Sequence, residues 1–554
     1  MAPQAKKTAK KDAKKTAKRF AGKYAKKPAK KPAKKVAKKK ATTTSRMQAP
    51  ENGVRVRMYR PGHGDCFLLA FPREGGATPY YVMIDCGVKP GSQKFLAHEK
   101  PIGEVVKHIH ESTGGHLDLV ILTHEHQDHL NGLWKKTDPY FEKFTIGEAW
   151  VAWTEDPTND LANELRRRHK DQLLGLIGAR AKLAMAVGEN DEALGRLDQL
   201  LAFEAGDATD NMSFAMLAAA AKDPEKSALK QGLKLIKDKA SDNNGFYCLY
   251  PGEGPIAFEG SKGFNAYVLG PPEDADLIAD EDPKGDEAFP REHGFSFASA
   301  ADPSVQHAPP FSRAYFIPAE QAFDGEHDMS GGRGKANHLL SKYYGQNPDA
   351  PGQKTNEEAP SNAEWRRIEH EWLYSAESLA IRLNSGINNT SLVLAIELPR
   401  SKKVLLFAGD AQRGNWSSWS DVAWHDENLT TRDLLRRTVL YKVGHHGSHN
   451  ATMHGTHEDS WANLSWMGLD EYSDEFTAMI TAVNEWAMTK NTPPWVHPLP
   501  SIKKALLQKA EGRVFQTDTD KLTKPAGVSE AKWKRFLKRC TFDALYFDYE
   551  IEDK

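Results

Sequence analysis

Four residues within a stretch of six can all ligate a metal: His124, His126, Asp128 and His129, spaced His-x-His-x-Asp-His. Imidazole and carboxylate at this density suit a pair of zinc, manganese or iron ions. The apolar run Leu119-Val120-Ile121-Leu122 stands immediately before them and reads as a buried strand. A strand end followed by a tight loop aims several side chains into one cleft. The competing reading is a solvated polar loop that happens to hold three histidines. Partner motifs that recur downstream in a workable order outweigh it.

The elements that must position this loop are legible on both sides of it. Val54–Met58 alternates like a strand. A Gly-rich turn, Pro61-Gly62-His63-Gly64-Asp65, leads to a second strand, Cys66–Phe71, and Tyr80–Ile84 makes a third that ends in Asp85-Cys86-Gly87. Residues 101–111 suit a helix, and residues 148–153 another strand. The segment 158–240 is Leu/Ala-rich with helical spacing and reads as an inserted helical subdomain. Strands return over 245–270. Residues 273–362 are rich in Asp, Pro, Gly and Ser, which predicts long loops, and a helix follows at about 363–384. Asn388–Glu397, Val404–Ala408 and Val439–Val443 are further strands, the last two running into Gly409-Asp410 and Gly444-His445-His446. Five apolar strands therefore end in polar or ligating residues: Asp85, the His124–His129 cluster, Asn388, Asp410 and His445/His446. Rigid strands can converge such residues on one edge. The order of elements predicts an α/β class.

With these residues in view, the chain resembles the metallo-β-lactamase fold superfamily over most of residues 53–520. Within it the chain looks most like the soluble domain of the ComEC family of DNA-uptake proteins. Gly62-His63-Gly64-Asp65 resembles that family's Gly-Gln-Gly-Asp turn, with His in place of Gln. Asn388-Asn389-x-Ser391-Leu-Val precedes a strand and then Gly409-Asp410-Ala411. Leu440-Tyr-Lys-Val-Gly-His-His-Gly-Ser448 is close to the family's Leu-Lys-x-x-His-His-Gly-Ser. His497-Pro498 and Phe515-Gln-Thr-Asp518 match its closing pattern. The membrane channel of ComEC proteins is absent here, so transport is not carried over.

The resemblance implies an αββα sandwich holding two divalent ions, Zn²⁺ or Mn²⁺. His124 and His126 would bind the first ion, Asp128 and His129 the second, and Asp410 would bridge them. His445, with His446 as second choice, would complete the second site. Asp85 would orient ligands or water. A metal-bridging hydroxide would attack phosphorus or a carbonyl, and His446, His449 or His497 would protonate the leaving group. One departure stands out. Many members supply a further His to the first ion between the main motif and the bridging Asp. Here His307 and His338 lie in loop-like sequence, and Asn388 is the other candidate for that area. The choice between zinc and manganese stays open with it. Blander readings hold elsewhere: His63 as a turn residue, Cys66 and Cys86 as small core residues, and Trp150 and Trp153 as core aromatics of one strand face. His454 and His457 read as surface residues, and Lys532–Arg539 as an amphipathic surface helix.

The formal net charge of zero over 554 residues conceals a segregation. Residues 1–46 hold 19 Lys or Arg and one acid, Asp12, so that of 75 basic and 75 acidic residues the remainder keeps 56 and 74. Copies of Ala-Lys-Lys follow Pro28, Pro32 and Val36. The segment is too poor in apolar side chains to fold alone, which predicts a disordered tail over 1–50. Its composition resembles Lys/Ala/Pro-rich linker-histone-like tails. Lys10, Lys11, Lys14, Lys15, Lys30, Lys31, Lys34 and Lys35 are candidates for sequence-independent contact with nucleic-acid phosphates. A solubility tail, an artificial extension and a tail that folds back on the acidic body are the alternatives. Transit peptides also carry few acids, but they favour Arg and Ser.

Below the tail the expected organisation is a hydrolase domain over 51–520, with a helical insertion near 155–243 and a loop-rich one near 273–385, then a C-terminal helix and strand over 521–554. No apolar run of transmembrane length occurs, and four widely spaced cysteines suit a reduced cytosol. A cytoplasmic location is expected, with nucleoid association as an option, and the oligomeric state is open. Three functions compete. The first is a phosphodiesterase or nuclease acting on DNA. The second is a small-molecule hydrolase of a cyclic nucleotide, lactone or thioester, localised by its tail. The third is a nucleoid-binding protein with a vestigial site, against which the intact ligand set argues.

Overall fold

The computed structural model describes residues 46–133, 141–187, 228–242, 245–290, 386–490 and 495–554, with Leu194 and Leu201. The basic tail over residues 1–45, His307, His338 and the helix expected at 363–384 lie outside them.

The class is α/β, built on two mixed sheets. In chain order the first sheet takes β1 (Gly53–Tyr59), β2 (Cys66–Phe71), β3 (Tyr80–Cys86), β4 (His116–Ile121), β5 (Thr145–Ala152) and β6 (Phe246–Leu249). The second takes β7 (Ile256–Ala257), β8 (Asn265–Gly270), β9 (Val393–Glu397), β10 (Val404–Phe407), β11 (Thr438–Lys442), β12 (Thr477–Ile480) and β13 (Val514–Gln516). The chain then returns to the first sheet as β14 (Cys540–Phe542) and β15 (Tyr546–Glu552), which pairs antiparallel with β1.

Strict alternation within strands explains how the sheets pack. In β2, Phe67, Leu69 and Phe71 join a core that also takes Leu394, Ile396, Leu405 and Phe407 from the second sheet. Their neighbours Cys66, Leu68 and Ala70 face the other way, into a cluster with Val105, Val106 and Ile109 of the helix Ile102–Thr113 and Ile236 of the helix Ala228–Ser241. On the second sheet, Val393, Ala395, Val404 and Leu406 turn to a third cluster with Trp416, Trp419, Leu434 and Leu506. Each sheet thus buries both faces, as period-two side chains with apolar residues at every position require. Phe67 and Phe407 meet edge to face between the sheets, ring centroids 5.4 Å apart, both fully buried. Phe407→Ala is expected to cost about 3–5 kcal/mol of stability, read as a lower urea midpoint. A change under about 1 kcal/mol would show that this contact is not part of a rigid core.

Strand direction sets where the chemistry falls. β3 through β6 run parallel to one another, as do β10 through β13. Residues that follow β3, β4, β10, β11 and β12 therefore gather at carboxyl ends, where open α/β sheets place ligands.

Four expectations about boundaries change. Residues 46–50 belong to the body, not the tail: Met47 is buried, its N–H donates to Ser112 O, and Tyr81 Oη donates to Met47 O. The helix expected in 521–554 is Glu530–Leu537, but the one expected strand is two, β14 and β15, and β15 joins the first sheet along the edge that β1 would leave unpaired. Trp153 lies past the end of β5 in a 3₁₀ turn, where its indole N–H donates to Pro271 O. Within the loop-rich insertion, 273–290 holds the short helix Ala275–Ile278, and Arg413 pairs with Asp280 and Glu287 there. The helical insertion keeps its character in Asp160–Val187 and Ala228–Ser241. No helix among the described residues is long and apolar enough to cross a membrane.

Candidate metal centre

Asp85 closes β3 with a left-handed backbone, φ 52°, and is fully buried. It accepts hydrogen bonds from Thr123 N (2.8 Å) and Thr123 Oγ1 (2.7 Å), at the root of the His124–His129 loop. His129 Nδ1 donates to its Oδ2 at 2.7 Å, which turns His129 Nε2 inward. The loop packs closely on the turn after β3: a Cβ at Gly87 would lie 2.3 Å from both Asp128 C and His129 N. Gly87 is therefore glycine for want of space.

Among the described residues three groups of possible ligating atoms form, each spanning no more than 4.8 Å, and two of them share a carboxylate. One is His124, His126 and Asp410. The other is Asp128, His129, Asp410 and His446. All are buried, and Asp410 belongs to both. His124 Nε2 and His126 Nδ1 lie 3.0 Å apart. Asp410 Oδ2 is 3.9 Å from His124 Nε2, 3.1 Å from His129 Nε2 and 3.8 Å from His446 Nε2. His446 Nε2 is 2.9 Å from Asp128 Oδ2. The outer nitrogens are occupied. His446 Nδ1 donates to Thr481 O at 3.0 Å, and His124 Nδ1 lies 3.0 Å from Thr123 Oγ1 and 3.2 Å from Ser391 Oγ. Outer hydrogen bonds of this kind fix the tautomer that points Nε2 at a metal.

The donor set fits divalent ions on its own evidence. Asp410 Oδ2 and His129 Nε2 are buried and form an ion pair at 3.1 Å, and neither makes a well-aligned hydrogen bond among the described residues. Native proteins rarely leave such atoms unsatisfied, and an ion between them would satisfy both. Charge is compensated in a second ring. Lys89 Nζ lies 2.8 Å from Asp128 Oδ1. Lys442, buried within β11, pairs with Asp65, lies 3.4 Å from Asp410 Oδ1 and donates to Gly409 O at 2.7 Å. Burial alone would depress the Lys442 ammonium, but Asp65 and Asp410 outweigh it and hold it above its ordinary range. Burial works against the Asp128 carboxylate too, yet Lys89 and His446 hold it well below its ordinary value.

The structure brings together His124, His126, Asp128, His129 and Asp410, with Asp85 beside them. It reverses the order of the two adjacent histidines: His446 joins the ligand group, and His445 belongs to neither group. Both have left-handed backbones, φ 41° and 56°, and this tight turn projects them differently. His497 is nine-tenths buried. Its ring centroid lies 5.5 Å from that of His445 and 6.3 Å from that of His446. Burial, then His445 and His446, hold it well below its ordinary value, which favours the neutral ring and makes it a weak base. Asn388 is buried at the same edge with its Oδ1 unsatisfied among the described residues, but it is not one of the grouped ligands. His63 lies in the turn after β1, is buried, and is in none of the ligand groups. Its Nδ1 accepts from Val483 N, and its ring centroid is 4.1 Å from that of His446. Cys66 and Cys86 are fully buried core residues. His454 packs on Phe289, and in Lys532–Arg539 the helix Glu530–Leu537 buries Trp533 and Phe536.

Sequence reasoning missed Asp65, Lys89 and Lys442. Asp65 groups with Asp85 and His129, and accepts from Thr481 Oγ1 at 2.5 Å. A lysine inside the apolar run Val439-Leu-Tyr-Lys-Val443 was the available signal, since a buried cation demands a buried anion. Asp85→Ala is expected to weaken metal binding by about 10–100-fold by freeing the His129 ring. Competition with a chelating dye would measure it, and an unchanged affinity would show that Asp85 orients nothing.

No protein-family model matches the chain, and no curated protein matches it significantly.

Proposed function

We propose that this chain is a metal-dependent hydrolase of the metallo-β-lactamase fold, similar to the soluble domain of ComEC proteins, and that it cleaves phosphodiesters in DNA. The observation that carries this reading is Asp410, one carboxylate common to two buried ligand groups. Two sheets sharing a core, with helices against their outer faces, support the αββα arrangement.

His124, His126 and Asp410 would hold one divalent ion; Asp128, His129, Asp410 and His446 would hold the other. Two zinc or manganese ions supply Lewis acidity and lower the pKa of water. Asp85 and Thr481 keep the His129 and His446 rings in one tautomer. Lys442 and Lys89 balance the carboxylates, so the site is not left with excess negative charge against a phosphate. His497, beside His445, would be the candidate donor to the departing oxygen; its lowered proton affinity would make it a strong acid once protonated. The Lys-rich tail would raise the local concentration of nucleic acid without reading sequence.

A second reading is a small-molecule hydrolase. It is favoured by Lys230 of the inserted helix Ala228–Ser241, which pairs with Glu125 between two ligands and draws that helix over the metal loop. Both readings meet one test. Single- and double-stranded DNA are offered, with manganese or zinc, to wild type and Asp128→Ala. Cleavage by wild type alone supports the nuclease. No DNA cleavage with metal bound, but turnover of a small diester, lactone or thioester, favours the second reading.

A further inference from the structure

A chain of rings leads from the metal centre to the surface. From His446, the His63 ring lies at 4.1 Å; from His63, Trp486 lies at 4.8 Å and His497 at 5.5 Å. Trp495 stacks on His497 at 5.8 Å with planes 18° apart, and lies 6.1 Å from Trp486. Leu96, Val483, Trp486 and Ala487 form a small buried cluster under Trp495. The residues next to that cluster in sequence do the opposite. Phe95 is 39% exposed, Met488 46% and Val496 36%. Three of the six exposed large apolar side chains among the described residues are thus sequence neighbours of this cluster and of the partly exposed tryptophan packed on it. Lys490 adds a cation, 5.0 Å over the Trp486 ring.

A second observation marks this rim as a site for a ligand. His497 is nine-tenths buried and its Nδ1 has no hydrogen-bond partner among the described residues. The buried Nδ1 of neighbouring His445 has none either. An apolar aromatic floor, two unsatisfied imidazole nitrogens and a cation, adjoining a His/Asp centre, match a nucleotide: a flat ring to stack and a phosphate to accept hydrogen bonds. We infer that the rim formed by Trp495, Phe95, Met488 and Val496 is a nucleobase-binding subsite, holding a base of a single strand whose phosphate lies in the metal centre. The inference rests on the phosphodiesterase reading and narrows its substrate to an unpaired strand, because a base held in a duplex stack does not offer its face.

The test uses the full chain loaded with manganese and compares thymidine 5′-monophosphate with deoxyribose 5-phosphate by calorimetric titration. The two probes share a phosphate, so the basic tail treats them alike, and only the first has a base. Wild type is expected to bind the nucleotide about tenfold more tightly or better, the scale of one base–aromatic stack. Trp495→Ala is expected to bring the ratio near one, and Trp495→Phe to keep most of it, with near-UV circular dichroism checking that both fold. Equal affinities in wild type, or a preference that survives Trp495→Ala, would overturn the subsite. Hydrolysis of methyl p-nitrophenyl phosphate, a diester without a base, is followed separately in wild type. Hydrolysis with equal binding sinks the subsite alone. Selective binding without hydrolysis of any diester upholds the subsite and sinks the hydrolase reading.

Discussion

Asp410→Asn is expected to remove both bound metal and diester hydrolysis, lowering each by more than about a hundredfold, beyond what losing one outer hydrogen-bond partner costs. The substitution keeps the size of the side chain and one oxygen but takes away the charge. Asp410 is the only residue common to the two ligand groups, so a single change weakens both at once. Its Oδ2 faces His129 Nε2 at 3.1 Å without making a hydrogen bond among the described residues, and asparagine keeps an oxygen there to face it. Folding should therefore survive, which separates this variant from one that merely unfolds. Metal content after gel filtration and kcat/KM on a simple diester measure the effect. Retention of two ions per chain and near-normal turnover would show that Asp410 bridges nothing.

Lys442→Met is expected to cost about 3–5 kcal/mol of stability in metal-free protein, the range for breaking a buried pair by removing one partner. Met fills much of the same volume but leaves Asp65 and Asp410 facing each other across a dry site. Both carboxylates are at least 98% buried, and the lysine is 1% exposed. The sign of the pH dependence follows from the raised ammonium. The stabilisation is fully present below the ordinary lysine range, near about 10.4, and is lost only as pH rises through the folded-state value. Neutral pH is therefore the right condition for the comparison. Divalent metal should restore part of the loss, because a bound ion replaces the missing positive charge. Urea unfolding with and without manganese tests this; a variant as stable as wild type in chelator would contradict the pairing.

How much of this was legible in the chain depended on whether a signal was local. Strands such as Cys66–Phe71 and Val404–Phe407 announce themselves as short apolar runs, and their turns carry glycine. Four of the candidate ligands fall in one loop, so spacing alone singled them out. Asp410 was found because a strand ends at it. The order of His445 and His446 was not legible, because two adjacent residues in a left-handed turn differ only in projection. Asp65, Lys89 and Lys442 went unread for another reason. Each acts on a group far away in sequence, and a charge looks like any other until its partner is known. The C-terminal strand was expected, but its place in the first sheet was not, for the same reason: its pairing with β1 spans nearly the whole chain.

The most direct measurement titrates metal-free full-length protein with manganese or zinc while counting bound ions and following hydrolysis of a simple diester in the same sample. Turnover that is absent without metal, and rises to a plateau as two ions per chain bind, is the expected result. Two bound ions with no diester hydrolysed, or no ion bound at all, would contradict a hydrolytic centre built on Asp410.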